Sequence, residues 1–293
     1  MTRFISRLLI FWVVISSLSI NAECKNRALL IGIGDYPSDS GWRKLSSEND
    51  VVLLGELLKD DFEVVRLLNS SASHDGIIKA LVRLENSVQK GDTIFVLLSG
   101  HGQLMEPVAD GKELDEAFIP YDAAKAFSNK YKGDRHLRDK ELSKHVDVLR
   151  TKAGPKGLVV IAVDACHSGG MERDVVDKPY VIRGTSDIFG PSDEEKKYEL
   201  LSYNLRNDAI DKIQNERGQS RVIYFEACKS YQSNCEIIIG GKNYGRLSYA
   251  IYNNLSRGLG FDKSRSFFEG IESFFLANKK GYPVQKPLMV DSL

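Results

Sequence analysis

The chain is 293 residues long, 42% hydrophobic and 27% charged, with 40 basic residues against 40 acidic ones. That length supplies ample core for one large domain or two smaller ones, and the composition excludes a disordered chain, a collagen-like repeat and a disulfide-dense miniprotein. Balanced charge gives no support to a nucleic-acid partner, and no apolar stretch long enough to span a bilayer follows the N-terminus.

The first 22 residues stand apart. Arg3 and Arg7 precede an apolar run over residues 8–15 (LLIFWVVI), and a small, polar stretch leads to Ala22. This is the order of a secretory signal peptide, with cleavage after Ala22 and export to the periplasm or the exterior. The alternative, an uncleaved anchor, fits less well because the apolar run is short. Removal leaves residues 23–293 as one domain with no stable membrane span.

Continuous apolar runs follow at residues 28–33 (ALLIGI), 62–68 (FEVVRLL), 93–99 (TIFVLLS), 158–164 (LVVIAVD) and 221–227 (RVIYFEA). Unbroken hydrophobicity, rather than alternation, is what a strand buried on both faces requires, so these read as parallel strands. Helical spacing of apolar residues lies between them. It covers residues 50–59, residues 73–88 with Ser73 as N-cap, and residues 138–150. Residues 244–255 and 264–278 read as closing helices. The alternation predicts an α/β fold with a mostly parallel sheet. Two long polar connections interrupt it, residues 102–133 and residues 169–220, and loops of that length are usually functional or mobile.

Two predicted strands end in unusual clusters. One ends Ser99-Gly100-His101-Gly102, the other Asp164-Ala165-Cys166-His167-Ser168-Gly169-Gly170. In doubly wound sheets ligands collect at the carboxyl ends of strands, so an imidazole and a thiol meet at the functional edge. A free thiol is only a few per cent ionised at neutral pH, and a neighbouring imidazole raises that fraction and later protonates a leaving amine. A zinc hydrolase is the competing reading of Cys166 and His167, but no spaced Cys or His pair completes a tetrahedron. Gly32-Ile33-Gly34 lacks the third glycine and the Lys-Ser/Thr of a phosphate loop. Of the four cysteines, Cys24, Cys166, Cys228 and Cys235, the last two are close enough in sequence to bridge in an oxidising compartment.

The two strand-end motifs resemble the catalytic motifs of the metacaspase and caspase-like cysteine peptidases. Gly32, Gly34, Asp35 and Tyr36, then Leu45 with Asn49-Asp50, are similar to the opening of that family, and Asp115-Glu116 with Pro120-Tyr121-Asp122 to its middle. The resemblance covers roughly residues 27–255. It implies a caspase-like fold with a central sheet of about six strands and helices on both faces. It further implies a Cys166–His101 dyad without a third side chain, with the N–H groups of Gly102 and Cys166 holding the oxyanion. His167 is by analogy not the base, and His74, His136 and His145 are given no role. The matching specificity pocket is Asp50, Ser99 and Asp164. Two carboxylates there suit Arg or Lys before the cut and repel aspartate. Substrates are then proteins or peptides, and oligomeric state is not legible.

Departures matter too. Many members of the family need calcium, bound by clustered aspartates. Here Asp115, Asp139 and Asp174 are the candidate ligands, but Lys140 follows Asp139 where a second aspartate is usual, so calcium activation stays open and no metal ligand is assigned. Ser47 stands where the family usually has cysteine. The loop 169–220 offers Arg173, Arg183, Lys196, Lys197 and Arg217 for self-cleavage. The alternative to a peptidase is a catalytically silent caspase-like module that serves as a binding scaffold.

Overall fold

The computed structural model describes residues 25–107, 111–166, 180–206, 216–229 and 232–293. The predicted leader, Cys24, and the stretch containing His167, Ser168, Gly169, Gly170, Arg173 and Asp174 lie outside the described residues.

In chain order the elements are β1 (Asn26–Gly32), α1 (Ser47–Leu58), β2 (Phe62–Leu68), α2 (His74–Ser87), β3 (Thr93–Ser99), β4 (Gly102–Met105), β5 (Asp115–Phe118) and β6 (Leu137–Arg138). They continue with α3 (Asp139–Ala153), β7 (Leu158–Asp164), α4 (Glu194–Arg206), β8 (Arg221–Glu226), β9 (Glu236–Ile239), β10 (Lys242–Gly245), α5 (Arg246–Ser256), α6 (Ser264–Ala277) and β11 (Leu288–Asp291). Six strands form the central sheet in the order β11-β8-β7-β3-β1-β2, all parallel except β11, which runs antiparallel to β8.

Successive side chains of a strand point to opposite faces, and here both faces are covered. Leu29 and Ile31 of β1 join a core with Ile77, Leu81 and Leu84 of α2 and Leu142, Val146 and Leu149 of α3. Ala28 and Leu30 face the other way, onto Val51 and Leu54 of α1, Leu247 and Ile251 of α5, and Phe267 and Ile271 of α6. Each large apolar side chain taken wholly out of water contributes about 1.5–3 kcal/mol.

The mostly parallel six-stranded sheet with helices on both faces matches the expected caspase-like architecture. Some details differ. β2 is not a buried strand but the edge of the sheet, with Glu63, Val65 and Arg66 exposed. The connection 102–133 contains β4 and β5, which pair with β6 in a separate antiparallel sheet. The connection 169–220 contains α4. Tyr244 lies in β10, and the helix predicted to begin there starts at Arg246. β9 and β10 form a hairpin whose turn, Gly240-Gly241, has φ of 59° and 78°, values that favour glycine at both positions. Among the described residues no helix is long and apolar enough to cross a membrane.

Register positions the site. Ser99, the last residue of β3, pairs with Asp164, the last of β7, and with Gly32, the last of β1. His101 and Cys166 each lie two residues beyond, at the same level on adjacent strands.

Candidate active site

His101 is buried and its ring is clamped by aromatics. Trp42 stacks on it at 4.8 Å between centroids, and Tyr36 tilts against it at 5.2 Å. Nε2 lies 2.8 Å from the main-chain oxygen of Arg43. A carbonyl can only accept, so Nε2 carries the proton and Nδ1 presents a bare lone pair. Nδ1 has no hydrogen-bond partner. Burial pushes the imidazole pKa down to about 3, and the positive charge of Arg183 adds to the effect. The Arg43 carbonyl thus orients the ring, a role no sequence pattern could reveal because any residue supplies a carbonyl.

Cys166 is fully buried, and its thiol donates to the main-chain oxygen of Gln232 at 2.8 Å. Sulfur and imidazole occupy adjoining strand ends, but the thiol proton is directed at Gln232 rather than at His101. Cys228, just past β8, donates to the same oxygen at 3.3 Å. A hydrogen bond with Cys166, then burial, holds its thiol well above the usual range. Cys228 and Cys235 are separate buried thiols and not a disulfide.

What covers the cysteine is the chain itself. The carbonyl oxygen of Arg183 accepts from the N–H of Cys166 at 2.8 Å and from the N–H of Gly102 at 3.3 Å. Around it, residues 181–184 are bound as an extra strand. Arg183 N–H donates to Asn234 O at 3.0 Å, and Glu236 N–H donates to Val181 O at 2.9 Å. This is the hydrogen-bond pattern of strand addition, with main-chain bonds holding an extended segment of the chain itself.

The Arg183 side chain fills the pocket of the three acidic and hydroxyl residues named from sequence. Nη2 lies 2.8 Å from Asp50 Oδ2 and 3.1 Å from Glu236 Oε1. Nη1 donates to Ser99 Oγ at 2.7 Å and to the Asp164 main-chain oxygen at 3.3 Å, and lies 3.7 Å from Asp164 Oδ1. Arg183 is fully buried there, as are Asp50 and Asp164. Burial opposes its charge, but Asp50, Asp164 and Glu236 together raise its pKa above the usual value. Burial likewise pushes the Asp50 carboxyl up to about 6, against the pull of Arg183. Three carboxylates around one guanidinium leave net negative charge in a dry pocket, which therefore demands a cation.

The carboxylates are fixed in turn. Asp50 accepts from Ser99 Oγ at 2.7 Å and Gly245 N–H at 2.9 Å. Asp164 accepts from Asn234 Nδ2 at 2.8 Å and from both the N–H and Oγ of Ser248 at 2.7 Å. Sequence reasoning missed Glu236, Asn234 and Gly245. The first opens the four-residue strand Glu236–Ile239, whose three isoleucines make an apolar run too short to read as an element, and the last is a bare wall whose Cβ would meet Asp164 and Arg183.

The other histidines are engaged elsewhere. His74 lies 3.1 Å from Glu141, His136 is held by Gln103 and Tyr131, and His145 lies 2.5 Å from Glu85. The two described calcium candidates, Asp115 and Asp139, do not fit the ion as they stand. Asp115 is buried, and its two oxygens are bound by Arg138 and by Lys140, so the chain's own cations take the positions a metal would need. Asp139 is pushed towards the neutral form by burial. No group of three or more metal-ligating side chains occurs among the described residues, and Asp174 and His167 lie outside them.

A family model described as a caspase domain matches residues 25–259. Metacaspase-1 of Pyricularia oryzae is 29% identical over 171 residues, covering 54% of this chain and 39% of that protein. Metacaspase-5 of Trypanosoma cruzi is 27% identical over 210 residues, covering 66% of this chain and 43% of that protein. The chain thus spans well under half the length of these two relatives. Metacaspase-1B of Neosartorya fischeri is 23% identical over 302 residues, covering 90% and 68%. In fold the chain is similar to the crystal structure of protein GSU0716 from Geobacter sulfurreducens, with a TM-score of 0.61 at 20% identity, covering 92% of this chain and 93% of that one. With the model matching most of its length, the chain belongs to the caspase-domain family of peptidases.

Proposed function

We propose that the protein is a cysteine endopeptidase that cuts after basic residues and that its first substrate is its own Arg183–Gly184 bond. One observation carries this reading: Arg183 lies across Cys166 as a substrate would, guanidinium among carboxylates and carbonyl oxygen on the Gly102 and Cys166 N–H groups.

The chemistry follows from those positions. The thiol turns from Gln232 O to His101 Nδ1 and gives up its proton as sulfur attacks the Arg183 carbonyl carbon. Negative charge gathers on the oxygen held by the two N–H groups, a preorganised interaction of the kind worth about 3–4 kcal/mol. The C–N bond breaks, the imidazolium protonates the departing Gly184 amine, and a thioester to Arg183 remains. Water attacks it, its proton passes through His101 back to sulfur, and an Arg183 carboxylate leaves. The imidazole must hold a proton midway, which its dry site disfavours. In the first cut the thiolate formed beside the ring offsets that cost, and once the Arg183 segment departs, entry of water and loss of a nearby cation raise the His101 pKa for later turnovers.

The test is an internally quenched peptide carrying Tyr-Val-Ile-Arg-Gly-Thr-Ser, the sequence of residues 180–186. The protein cuts it between Arg and Gly, Cys166→Ala does not, and an Asp-for-Arg peptide resists. Equal turnover by Cys166→Ala, or of the Asp peptide, defeats the reading. One observation favours a second reading: the thiol is bonded to Gln232 and the pocket is filled, as in a silent binding module. A chain that stays intact and never labels with a peptidyl electrophile at Cys166 supports that alternative. No calcium step is assigned, since Asp115 is already neutralised. The opening residues 1–22 support export, which a mature N-terminus at Glu23 tests.

A further inference from the structure

Building on the peptidase reading, we propose that the site recognises a two-residue signal, arginine followed by glycine, with Glu236 selecting arginine over lysine and the Cys166 main chain selecting glycine.

The arginine preference comes from how the pocket divides its partners. Ser99 Oγ and the Asp164 oxygens meet Nη1, while Asp50 and Glu236 meet Nη2. A lysine offers one nitrogen on a tip about one bond shorter, so it cannot meet both sets at once. Glu236 is the costliest to leave unmet. It is 2% exposed, its Oε2 has no partner, and its Oε1 is held by Ser46 N–H at 2.6 Å, so the carboxylate cannot swing to follow a shorter side chain. A buried carboxylate without its cation penalises the complex. Glu236 belongs to β9, outside both strand-end motifs, and was not in the pocket foreseen from sequence.

The glycine preference comes from space. A Cβ on Gly184 would fall well inside contact distance of the Cys166 carbonyl oxygen and 3.0 Å from Cys166 Cβ. Both belong to the nucleophile's own backbone and side-chain root, pinned by the oxyanion bond to Arg183 O and the end of β7. Gly184 itself is paired with Gly102, so the peptide cannot move sideways without losing that alignment. Alanine at this position displaces the scissile carbonyl from its two donors.

Three peptides separate these claims: the Tyr-Val-Ile-Arg-Gly-Thr-Ser sequence, its Lys-for-Arg analogue and its Ala-for-Gly analogue. They are assayed with the chain as purified and with Arg183→Gln, which removes the guanidinium that competes for the pocket while keeping the chain's main-chain pairing. The expected kcat/KM for Arg-Gly exceeds Lys-Gly and Arg-Ala by about tenfold or more, because each analogue leaves a buried polar group unmet or shifts the carbonyl. Glu236→Gln keeps an acceptor for Ser46 and removes only charge. It lowers turnover of the Arg peptide about tenfold while leaving that of the Lys peptide unchanged or raised, since the unmet carboxylate is gone, so the ratio collapses. A parallel fall for both peptides overturns the selective role of Glu236 and leaves it structural. Cleavage of Arg-Ala as fast as Arg-Gly overturns the glycine requirement alone. If no peptide is cut in a Cys166-dependent way, the peptidase reading falls, and this inference with it.

Discussion

Single atoms decide the pocket. Gly245 forms its wall, where a methyl group would collide with Asp164 Oδ2 and lie 2.5 Å from Arg183 Nη1. Gly245→Ala therefore lowers kcat/KM for the Arg-Gly peptide by about a hundredfold, the size of disrupting a buried ion pair at about 3 kcal/mol, while far-ultraviolet circular dichroism stays unchanged. Titration acts at the same scale. Burial holds His101 and His136 at about 3, against 6.5 when unfolded. Between those values the unfolded chain binds more protons, so their contribution is complete above pH 6.5 and is lost as pH falls towards 3. Asp50, raised to about 6 from 3.8, and Asp139, also raised by burial, act oppositely, but Asp92 and Asp291, held low by their hydrogen bonds against the pull of burial, add to the two histidines. Tm is expected to fall from pH 7 to pH 4, and a Tm that rises over that range contradicts this balance. Ser99, His101, Asp164 and Cys166 were legible in the sequence because each sits in a short motif at the end of a strongly apolar strand, and Asp50, in α1, only through the resemblance of Leu45 and Asn49-Asp50 to the family's opening. Glu236 and the Arg43 carbonyl were not, since neither has a local signal.

Elements were readable in proportion to their burial. β3 and β7 begin and end where their apolar runs do, because both lie inside a sheet covered on both faces. β2 carries Glu63 and Arg66 inside its run and forms the edge, where one hydrogen-bonding side lacks a neighbouring strand. Those two charges were the signal, present in the sequence, that this strand is not buried on both faces. The short strands β4, β5, β6, β9 and β10 escaped notice because two to four residues carry no period, and α4 because its sequence is charged on most sides. Its first residues, Glu194 and Glu195, are exposed, which agrees with the solvated reading of that stretch. Capping was legible: Ser73 accepts from Gly76 N–H at 3.1 Å at the start of α2. Ser73→Ala is expected to cost about 1 kcal/mol in urea unfolding. A loss below a tenth of that figure shows that tertiary packing alone holds the helix end.

The architecture of the whole molecule would survive the cut proposed at Arg183–Gly184. Breaking Arg183–Gly184 divides β1 to β7 from β8 to β11, yet β7 and β8 remain paired from Leu158 with Arg221 to Val163 with Glu226. Phe189 also stays bound to Leu104 and Glu106 through main-chain bonds of 2.8 and 2.9 Å. The two fragments should separate only in denaturant and elute together from a sizing column, whereas early dissociation refutes a shared sheet. Pocket walls come from both pieces, with Asp50, Ser99 and Asp164 on one and Glu236 and Gly245 on the other. The sequence disclosed which bonds were chemically eligible but not which one lies in the cleft, because that depends on contacts between residues far apart along the chain. Since the occupying segment is tethered beside the sulfur, the self-cleavage proposed here would be a unimolecular clock. Its half-time should be the same at nanomolar and micromolar protein, each molecule should fire once, and no dilution should reset it.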